Sequence, residues 1–369
     1  MAQSTPSTEP SDALAPLRRR IDELDGQIVK LLNERAAVVV EVGEVKRKSG
    51  GTPVYAPDRE QVVLDRIRKA NKGPLPDACL EAIWRELMSG SFALERPLRI
   101  GFLGPAGSFS HLAATRQFGS CVDYRPFESI PGVFHGVESK QIDLALVPIE
   151  NSIGGGIHDT LDCFLQTSAR VCAEVLVPIH HHLLSRSEPQ NVTKVYSRPE
   201  IFDQCRRWLA THMQNTDKLA MSSSAKAAEA AAAQDGVAAI GSALAAQIYD
   251  LPIRFSNIED NPNNITRFFV VGHQQTQPTG DDKTAVVFTT EHKPGSLASV
   301  IDVFRDHKVN LTHIDKRPSQ RVNWEYWFFI DCEGHRDDPA VAAALTDARK
   351  HCLQLTILGS FPRARNVLE

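Results

Sequence analysis

A heptad repeat of apolar residues near the amino end constrains the fold more than any other feature of this sequence. The apolar positions alternate steps of four and three residues, through Leu17, Ile21, Leu24, Ile28 and Leu31. Such spacing is typical of a long helix that packs against other helices. Arg35 occupies the next position of the repeat, so the pattern predicts a cation on the packing face of the helix.

An inward cation needs a partner, because removing water from a guanidinium group is costly unless an anion or another polar group replaces that water. Lys46 lies eleven residues after Arg35, which is about three helical turns and nearly the same face. Two interpretations remain open. Arg35 pairs with an acid on a neighbouring helix, or the two cations line a pocket for a small, multiply charged anion.

Length and composition narrow the class of protein. The chain has 369 residues, so about two to four domains are expected rather than one hydrophobic core. A net charge of -4 argues against a nucleic-acid partner, and no apolar run approaches the ~20 residues of a membrane span. The seven cysteines form no Cys-x-x-Cys pair, which favours reduced thiols and a cytoplasmic location. The polar residues 1–13 are expected to form a disordered leader.

The first domain is expected at residues 14–96 and is predicted to be entirely helical. A long amphipathic helix extends to about Lys48, and two shorter helices follow a glycine-containing turn. Ser91 and Glu95 are four residues apart on the third helix and therefore share a face. Three helices of unequal length bury little surface alone, so we expect this domain to dimerise.

This segment resembles the all-helical chorismate mutase family. The reaction rearranges chorismate, a dicarboxylate, to prephenate with no proton transfer and no covalent intermediate. The enzyme must hold a compact conformer and stabilise negative charge on the breaking ether oxygen, which requires cations and hydrogen-bond donors. The resemblance implies three carboxylate-binding arginines: Arg18, Arg35 and Arg59. It also implies that Lys46 lies at the ether oxygen and that Glu60 binds the substrate hydroxyl. Ser91 and Glu95 are expected to line the same pocket.

Three positions refine this expectation. Arg18 lies seventeen residues before Arg35, about 100° off its face, so Arg18 is expected to enter a site from a partner chain, as in the family's intertwined dimer. Some family members have glutamine in place of Glu95, and a glutamate can donate to the ether oxygen only when protonated. Mutase activity is therefore expected to fall as pH rises, with a flatter profile for Glu95→Gln. Ala56 stands where a relative has aspartate.

The second domain, expected at residues 97–275, alternates predicted strands and helices. A glycine-rich turn follows its first strand and directs backbone N–H groups toward an anion. A dinucleotide site that includes Asp123 is one interpretation of this turn. The Gly-x-x-Gly-x-x-Gly spacing and Pro105 instead favour a plain tight turn.

Polar residues follow two further predicted strands of this domain. One apolar strand ends at Glu150, Asn151 and Ser152, where open α/β sheets bind ligands. Ser197 begins a Ser-Arg-Pro-Glu sequence that is typical of a capping box, so it is either a helix cap or a substrate contact. Gln204 lies seven residues further, two turns along the same helix face.

Together with Thr266, Arg267 and Phe268, these stretches resemble the prephenate dehydratase family in their order. The resemblance implies two α/β lobes around a cleft, like a periplasmic binding protein, and loss of water and carbon dioxide from prephenate to give phenylpyruvate. Thr266 is expected to hydrogen-bond to or protonate the departing hydroxyl, and Arg267 to supply positive charge. Further substrate-binding residues are expected at Glu150, Asn151, Ser152, Ser197, Gln204 and Phe268.

Three consecutive histidines, His180 to His182, raise the question of a metal site. Successive residues of a strand point to opposite faces, so only His180 and His182 could share a metal. No carboxylate or cysteine lies at ligand spacing beside them, and no metal is expected.

The third domain and its linker are expected at residues 276–369. Their predicted βαββαβ order resembles the ACT domain, a regulatory α+β module that binds amino acids at a dimer interface. The resemblance implies a phenylalanine-binding site made by two stretches: Gly295, Ser296, Leu297 and Ala298, and Asp315, Lys316, Arg317 and Pro318. Both stretches depart from the usual family sequence, and a purely structural dimerisation domain is the alternative.

The order of the three resemblances is that of the bifunctional chorismate mutase–prephenate dehydratase family of phenylalanine biosynthesis. We therefore expect an isomerase and a lyase in one chain, with chorismate and prephenate as substrates and L-phenylalanine as inhibitor. We expect a homodimer or higher oligomer with no cofactor. A mutase fused to a nicotinamide-dependent prephenate dehydrogenase is one alternative, and a non-catalytic amino-acid sensor is the other.

Overall fold

The computed structural model describes residues 10–48, 53–319 and 325–368. It contains a helical domain, a two-lobed α/β domain and an α+β domain, in the predicted order. Residues 1–9 of the expected leader lie outside the described residues. The first helix begins at Pro10, four residues before the predicted start of the helical domain.

The helical domain consists of three helices: α1 Pro10–Lys48, α2 Pro57–Ala70 and α3 Asp77–Glu95. The carboxyl half of α1 packs on α3, where Gly43 is buried against Glu95. The heptad repeat along the rest of α1 faces outward, and Leu17 and Leu31 are 58% and 63% exposed. Among residues 10–48, 53–319 and 325–368, this part of the repeat therefore has no apolar cover.

The first lobe of the α/β domain begins with these elements: β1 Arg99–Leu103, α4 Phe109–Phe118, β2 Asp123–Phe127, α5 Ile130–Glu138, β3 Leu144–Asn151, β4 Gly155–Gly156, α6 His158–Phe164 and β5 Arg170–Pro178. The second lobe follows: β6 His182–Leu184, β7 Lys194–Ser197, α7 Pro199–Gln204, α8 Arg206–His212, β8 Asp217–Ala220, α9 Ser224–Ala232, β9 Val237–Gly241, α10 Ala243–Ile248 and β10 Ile253–Phe255. The chain then returns to the first lobe as β11 Ile265–Gly272.

Two sheets form the centres of the two lobes. The first has the strand order β2-β1-β3-β11-β5, with β4 paired to β3, and the second has the order β10-β6-β9-β7-β8. The chain crosses between them twice, after β5 and before β11. This topology confirms the predicted pair of lobes and brings the end of β3 and the start of β11 to the cleft.

The α+β domain has the predicted βαββαβ order. Its elements are β12 Asp282–Thr289, α11 Ser296–Asp306, β13 Leu311–Pro318, β14 Tyr326–Glu333, α12 Pro339–Ala348 and β15 Gln354–Pro362. The sheet has the strand order β13-β14-β12-β15 and is antiparallel. One face packs under α11 and α12, where Phe288 and Phe304 are fully buried. The other face packs on the first lobe, where Phe329 and Phe361 join one core with Phe164 and Phe269. This domain therefore lies directly behind the strands that carry the predicted dehydratase motifs.

Candidate active sites

A cavity of about 450 Å³ opens between the carboxyl half of α1 and helices α2 and α3. Six of the seven predicted mutase residues line it: Arg35, Lys46, Arg59, Glu60, Ser91 and Glu95. Valine side chains from the heptad repeat, among them Val38 and Val42, form part of its wall. The cavity thus combines three cations with an apolar surface, which suits a small organic anion.

Arg35 is the cation that the heptad repeat places inward. Its Nη1 donates to Ser91 Oγ at 3.0 Å, and Ser91 in turn donates to the carbonyl of Leu87. Among the described residues, no carboxylate lies within 4.0 Å of the Arg35 guanidinium. Of the two interpretations, the geometry therefore favours the anion pocket over a helix-to-helix ion pair.

Lys46 and Glu95 form the inner end of the cavity. Lys46 Nζ lies 3.0 Å from Glu95 Oε1, and it also donates to the carbonyl of Pro53 at 3.4 Å. The pair holds the ammonium group at a fixed place beside the cavity. In this arrangement Glu95 accepts a hydrogen bond from Lys46 and does not act as a donor. The expected fall of mutase activity with rising pH, through deprotonation of Glu95, stays a prediction.

Glu60 lies on α2, between the cavity and the contact of the helical domain with the α/β domain. Burial raises the pKa of Glu60 to about 7, and the nearby Arg85 guanidinium opposes that rise. The side chain therefore changes its charge near neutral pH.

Arg18 lies apart from this cavity. It is exposed on α1, seventeen residues and about 26 Å along the helix from Arg35. Within one chain the two arginines do not meet. The expectation that Arg18 serves a partner's site stays a prediction.

Asn151 and Thr266 lie side by side in the sheet of the first lobe, at paired positions of the neighbouring strands β3 and β11. Asn151 Oδ1 accepts from the backbone N–H groups of Ile153 and Gly154, at 3.0 and 2.8 Å. These contacts fix the amide, so Asn151 Nδ2 donates to Thr266 Oγ1 at 2.9 Å. Among the described residues, no acceptor takes the hydroxyl proton of Thr266. That proton is therefore available to a bound ligand.

Both lobes and the returning segment contribute to a cavity of about 250 Å³ in the cleft. Gln204, at the end of α7, lines it together with Ile153 and Asn264. Ser152 precedes Ile153 in the chain, and its hydroxyl donates to the carbonyl of Asn263 and accepts from the N–H of Ile265. Ser152 thus holds the end of β3 against the start of β11.

Arg267 does not supply charge to this cleft, which corrects the sequence expectation. Successive residues of a strand point to opposite faces, and Arg267 points away from Thr266 into the contact with the α+β domain. Its Nε donates to Glu174 of β5 at 2.7 Å, and its Nη1 lies 2.5 Å from Asp331 of β14. Glu150 faces the same side, with its carboxylate 3.4 Å from His313 of β13.

Ser197 and Phe268 also differ from their predicted roles. Ser197 is fully buried at the end of β7, where its hydroxyl donates to the carbonyl of Ile240 at 3.1 Å. It neither contacts the cleft nor caps a helix, since the cap position of α7 is Arg198. Phe268 is 1% exposed and packs in the core of the first lobe. Both side chains support the fold around the site rather than the substrate.

The glycine-rich turn closes against the second lobe. Gly107 has a φ of 83°, and a Cβ there would lie 3.1 Å from the Cα of Ala245 in α10. Ser242 donates to the Gly107 carbonyl at 2.8 Å. Asp123, the candidate ribose ligand, instead lies 2.7 Å from Arg125. The turn is therefore used for packing between the lobes, and the geometry favours the tight-turn interpretation.

The three histidines have three different partners. His180 Nδ1 lies 2.7 Å from Glu259, His181 Nε2 lies 2.7 Å from Gln204, and His182 Nδ1 accepts from the N–H of Asn257. Within the described parts of the chain, no three His, Cys, Asp or Glu side chains cluster around a possible metal position.

The two predicted phenylalanine-binding stretches occupy different elements of the α+β domain. Gly295, with a φ of 85°, precedes α11, and Ser296, Leu297 and Ala298 form its first turn. The other stretch ends the edge strand β13. Within it, the Lys316 ammonium lies 5.1 Å from the ring centre of Tyr326, and Pro318 pairs with Tyr326 across the strands.

The rest of this stretch contacts the first lobe. Arg317 lies 2.6 Å from Asp162 of α6, and the Asp315 carboxylate touches Gly156 of β4. The edge strand β13 therefore connects one of the two predicted phenylalanine-binding stretches to β4, which pairs with β3 just after Asn151. In the described residues, no helix combines the length and the hydropathy of a membrane span.

Sequence models of three families match successive parts of the chain. They are chorismate mutase type II at residues 17–96, prephenate dehydratase at residues 100–276 and the ACT domain at residues 284–350. A bifunctional chorismate mutase/prephenate dehydratase from Stutzerimonas stutzeri is 41% identical over 360 residues, 96% of this chain and 99% of the relative.

Two solved structures match 72% and 74% of the chain. A prephenate dehydratase from Arthrobacter aurescens, solved in complex with L-Phe, has a TM-score of 0.68 and 32% identity, over 74% of this chain and 93% of that chain. A quorum-quenching acylase has a TM-score of 0.67 and 25% identity, over 72% of this chain and 98% of that chain. Since one fold accompanies two named activities, the fold alone does not assign the reaction.

The full-length relative and the site residues decide the family. The three matched domains are those of the bifunctional enzymes, in the same order, and the cation cavity and the Asn151–Thr266 pair lie within the matching domains. The chain therefore belongs to the family of bifunctional chorismate mutase/prephenate dehydratases, enzymes that join an isomerase and a lyase in one polypeptide and end in an ACT domain.

Proposed function

We propose that this chain rearranges chorismate to prephenate in the helical cavity and converts prephenate to phenylpyruvate in the cleft between the lobes. The observation that carries the proposal is the grouping of Arg35, Lys46 and Arg59 around one cavity of suitable size. A pericyclic rearrangement of a dicarboxylate needs this arrangement and no nucleophile.

In the helical cavity, the arginines bind the two carboxylates and hold chorismate in its compact conformer. Lys46, fixed by Glu95, donates to the ether oxygen as negative charge develops there. Glu60 binds the substrate hydroxyl, and Ser91 keeps the Arg35 guanidinium in place. Arg18 of the partner chain completes the site.

In the cleft, Thr266 donates its proton to the ring hydroxyl of prephenate, which leaves as water. The electron pair of the breaking bond to the carboxylate enters the ring as carbon dioxide departs, and the ring becomes aromatic. Asn151 Nδ2 stabilises the negative charge that develops on Thr266 Oγ1, and Gln204 orients the substrate. Solvent then reprotonates the threonine, so the reaction needs no cofactor.

L-Phenylalanine is proposed to inhibit through the ACT domain. The relative from Arthrobacter aurescens was solved with L-Phe, and this chain aligns with 93% of it. The contacts of β13 support a route to the dehydratase site, because this strand carries the Asp315–Pro318 stretch and contacts Glu150 and Asp162. Movement of β13 would act on β3 directly behind Asn151.

We also propose a cytoplasmic homodimer or higher oligomer. The outward heptad repeat of α1 and the edge strand β13 each offer a surface that a second copy can cover. All seven cysteines are free, which supports a reducing compartment.

The first test is to add chorismate to the purified protein with no cofactor or metal supplied. Phenylpyruvate is the expected product. If prephenate accumulates without phenylpyruvate, the mutase assignment is supported and the dehydratase assignment is wrong. A product that forms only with a nicotinamide cofactor would instead support the dehydrogenase alternative.

A further inference from the structure

We propose that His181 and Asn264 are positioning residues of the dehydratase site, a role that rests on the proposed function. They fix the amides of Gln204 and Asn151, so that a Gln204 N–H and the Thr266 O–H both point to the cleft. Neither residue follows from the sequence motifs, since the histidine lies in the second lobe and the asparagine in the returning segment.

Asn264 is held on both sides of its amide. The side chain is 1% exposed, and the backbone carbonyl accepts from Ile179 at 2.8 Å. Its Oδ1 accepts from Asn151 Nδ2 at 2.7 Å, and Asn151 is itself oriented by two backbone N–H groups. Asn264 Oδ1 must therefore face Asn151, and Asn264 Nδ2 donates to Gln204 Oε1 at 3.4 Å.

His181 fixes Gln204 from the other direction. The imidazole is 1% exposed and packs edge-on against Phe109, with ring centres 5.4 Å apart. Burial lowers the pKa of His181, which keeps the ring neutral. Its Nδ1 is buried and has no hydrogen-bond partner among the residues that the structure describes. The single proton therefore belongs on Nε2, which donates to Gln204 Oε1 at 2.7 Å.

Gln204 Oε1 then receives two donors, and a flip of the amide would place its NH₂ group against both of them. The amide nitrogen of Gln204 is therefore directed away, toward the cavity that Gln204 lines. The result is a connected set of five side chains from both lobes, which runs from Thr266 through Asn151, Asn264 and Gln204 to His181. A set of fixed donors costs no reorganisation when the substrate reacts.

The test compares two substitutions of His181. His181→Leu removes the donor, and dehydratase kcat is expected to fall by about 100-fold, as for a misplaced catalytic contact. His181→Gln can place an N–H near the position of Nε2 and is expected to recover most of the rate. His182→Gln is the matched control, since His182 is a buried neighbour outside the set. Mutase turnover by each variant reports folding of the helical domain, and the His181→Gln and His182→Gln variants show whether the second lobe tolerates substitution at these positions.

A double-substitution cycle separates positioning from general packing. If His181 acts through Gln204, His181→Leu combined with Gln204→Ala is no slower than Gln204→Ala alone. Asn264→Asp keeps the acceptor toward Asn151 but replaces the donor toward Gln204, so it is expected to lower kcat more than it changes KM. Multiplicative losses in the cycle, or equal losses for His181→Leu and His182→Gln, would overturn the proposal.

The tautomer of His181 gives a readout that does not depend on turnover. Imidazole nitrogen NMR, assigned by comparison with His181→Gln, is expected to show a neutral ring protonated at Nε2. A proton on Nδ1 or a charged ring at neutral pH would overturn the positioning role. A wild-type protein that forms no phenylpyruvate would overturn the proposed function, whichever tautomer is found.

Discussion

Thr266 and Arg267 are neighbours on β11, yet their side chains act on opposite sides of one sheet. Thr266 accepts from Asn151 at the cleft, whereas Arg267 lies among Glu174 and Asp331 behind it. Alternation along a strand explains the division. A three-residue motif can therefore contain a candidate catalytic hydroxyl, a buried ion pair and a core aromatic side chain.

Thr266→Val keeps the shape of the side chain and removes its hydroxyl. Dehydratase kcat is expected to fall at least ~100-fold, the usual effect of losing a proton donor. Thr266→Ser retains the hydroxyl and is expected to keep most of the rate. Prephenate consumption is measured for each variant, with chorismate consumption as the internal control. A Thr266→Val enzyme that remains fully active would remove Thr266 from the mechanism.

The raised pKa of Glu60 predicts that the stability of the folded protein depends on pH. This pKa is about 7 in the folded protein, above the ~4.3 of an unfolded glutamate. The folded state therefore binds a proton more tightly, and the stability from this site, complete at low pH, declines as pH rises toward about 7.

Glu60→Gln is expected to abolish that decline. The melting temperature of the variant should gain on the wild type as pH rises from about 5 to about 8, measured by thermal unfolding at several pH values. Glu44→Gln, an exposed substitution on α1, is the control and should show no such trend. A difference between Glu60→Gln and wild type that is independent of pH would contradict the assignment.

At the scale of elements, charged contacts join the ACT sheet to the strands of the dehydratase site. Arg267 of β11 links Glu174 of β5 to Asp331 of β14, and Lys283 of β12 lies 3.0 Å from the same glutamate. The segment after β15 extends the connection, since Arg365 lies 2.8 Å from Asp65 of α2. The three domains are thus held together by side chains outside either active site.

Arg267→Met tests the structural role of this network. Removing the guanidinium leaves Asp331 and part of Glu174 buried without their partner, which is expected to cost about 3–5 kcal/mol of unfolding free energy. Arg125→Met breaks an exposed pair and is expected to cost about 0–1 kcal/mol. Thermal unfolding measures both effects. A stable Arg267→Met protein with a raised KM for prephenate would restore the substrate-binding role.

At the scale of the whole molecule, α1 remains incomplete in a single chain. Its heptad repeat is exposed, and Arg18 lies about 26 Å along the helix from Arg35. A second copy that packs along α1 would cover the repeat and bring its own Arg18 to the cavity. The mutase site would then be shared by two chains, whereas Asn151, Gln204 and Thr266 are connected within one chain.

Mixing two inactive chains tests the shared site. Arg18→Ala and Lys46→Ala are each expected to abolish most mutase activity. Co-expressed in equal amounts, they would form mixed dimers with one intact site, so about a quarter of the wild-type activity should return. Dehydratase activity should be normal throughout. A mixture as inactive as its parents would place Arg18 and Lys46 in the site of the same chain.

Local patterns in the sequence predicted the helices, the strands and the shared helix faces of Arg35 with Lys46 and of Ser91 with Glu95. The resemblance to known families supplied the pair of lobes and the expected roles of Arg59 and Glu60. Periodicity and turn residues depend on neighbours along the chain, so they predict helices, strands and their order. Arg35 and Lys46 belong to one helix, and regular helical geometry alone aligns them. The sequence also predicts Asn151, Gln204 and Thr266 at strand or helix ends. The structure pairs Asn151 with Thr266 and places Gln204 in the wall of the cleft cavity.

Only the tertiary structure decided whether each polar side chain points to the cleft, to the ACT sheet or into a core. Strand register and the ACT sheet behind β11 turn Arg267 and Glu150 away from the cleft, and packing of the second lobe buries Ser197. His181 and Asn264 meet through Gln204 because the chain crosses between the lobes twice. The physical reason is that side-chain direction and burial depend on long-range pairing, which local sequence does not encode.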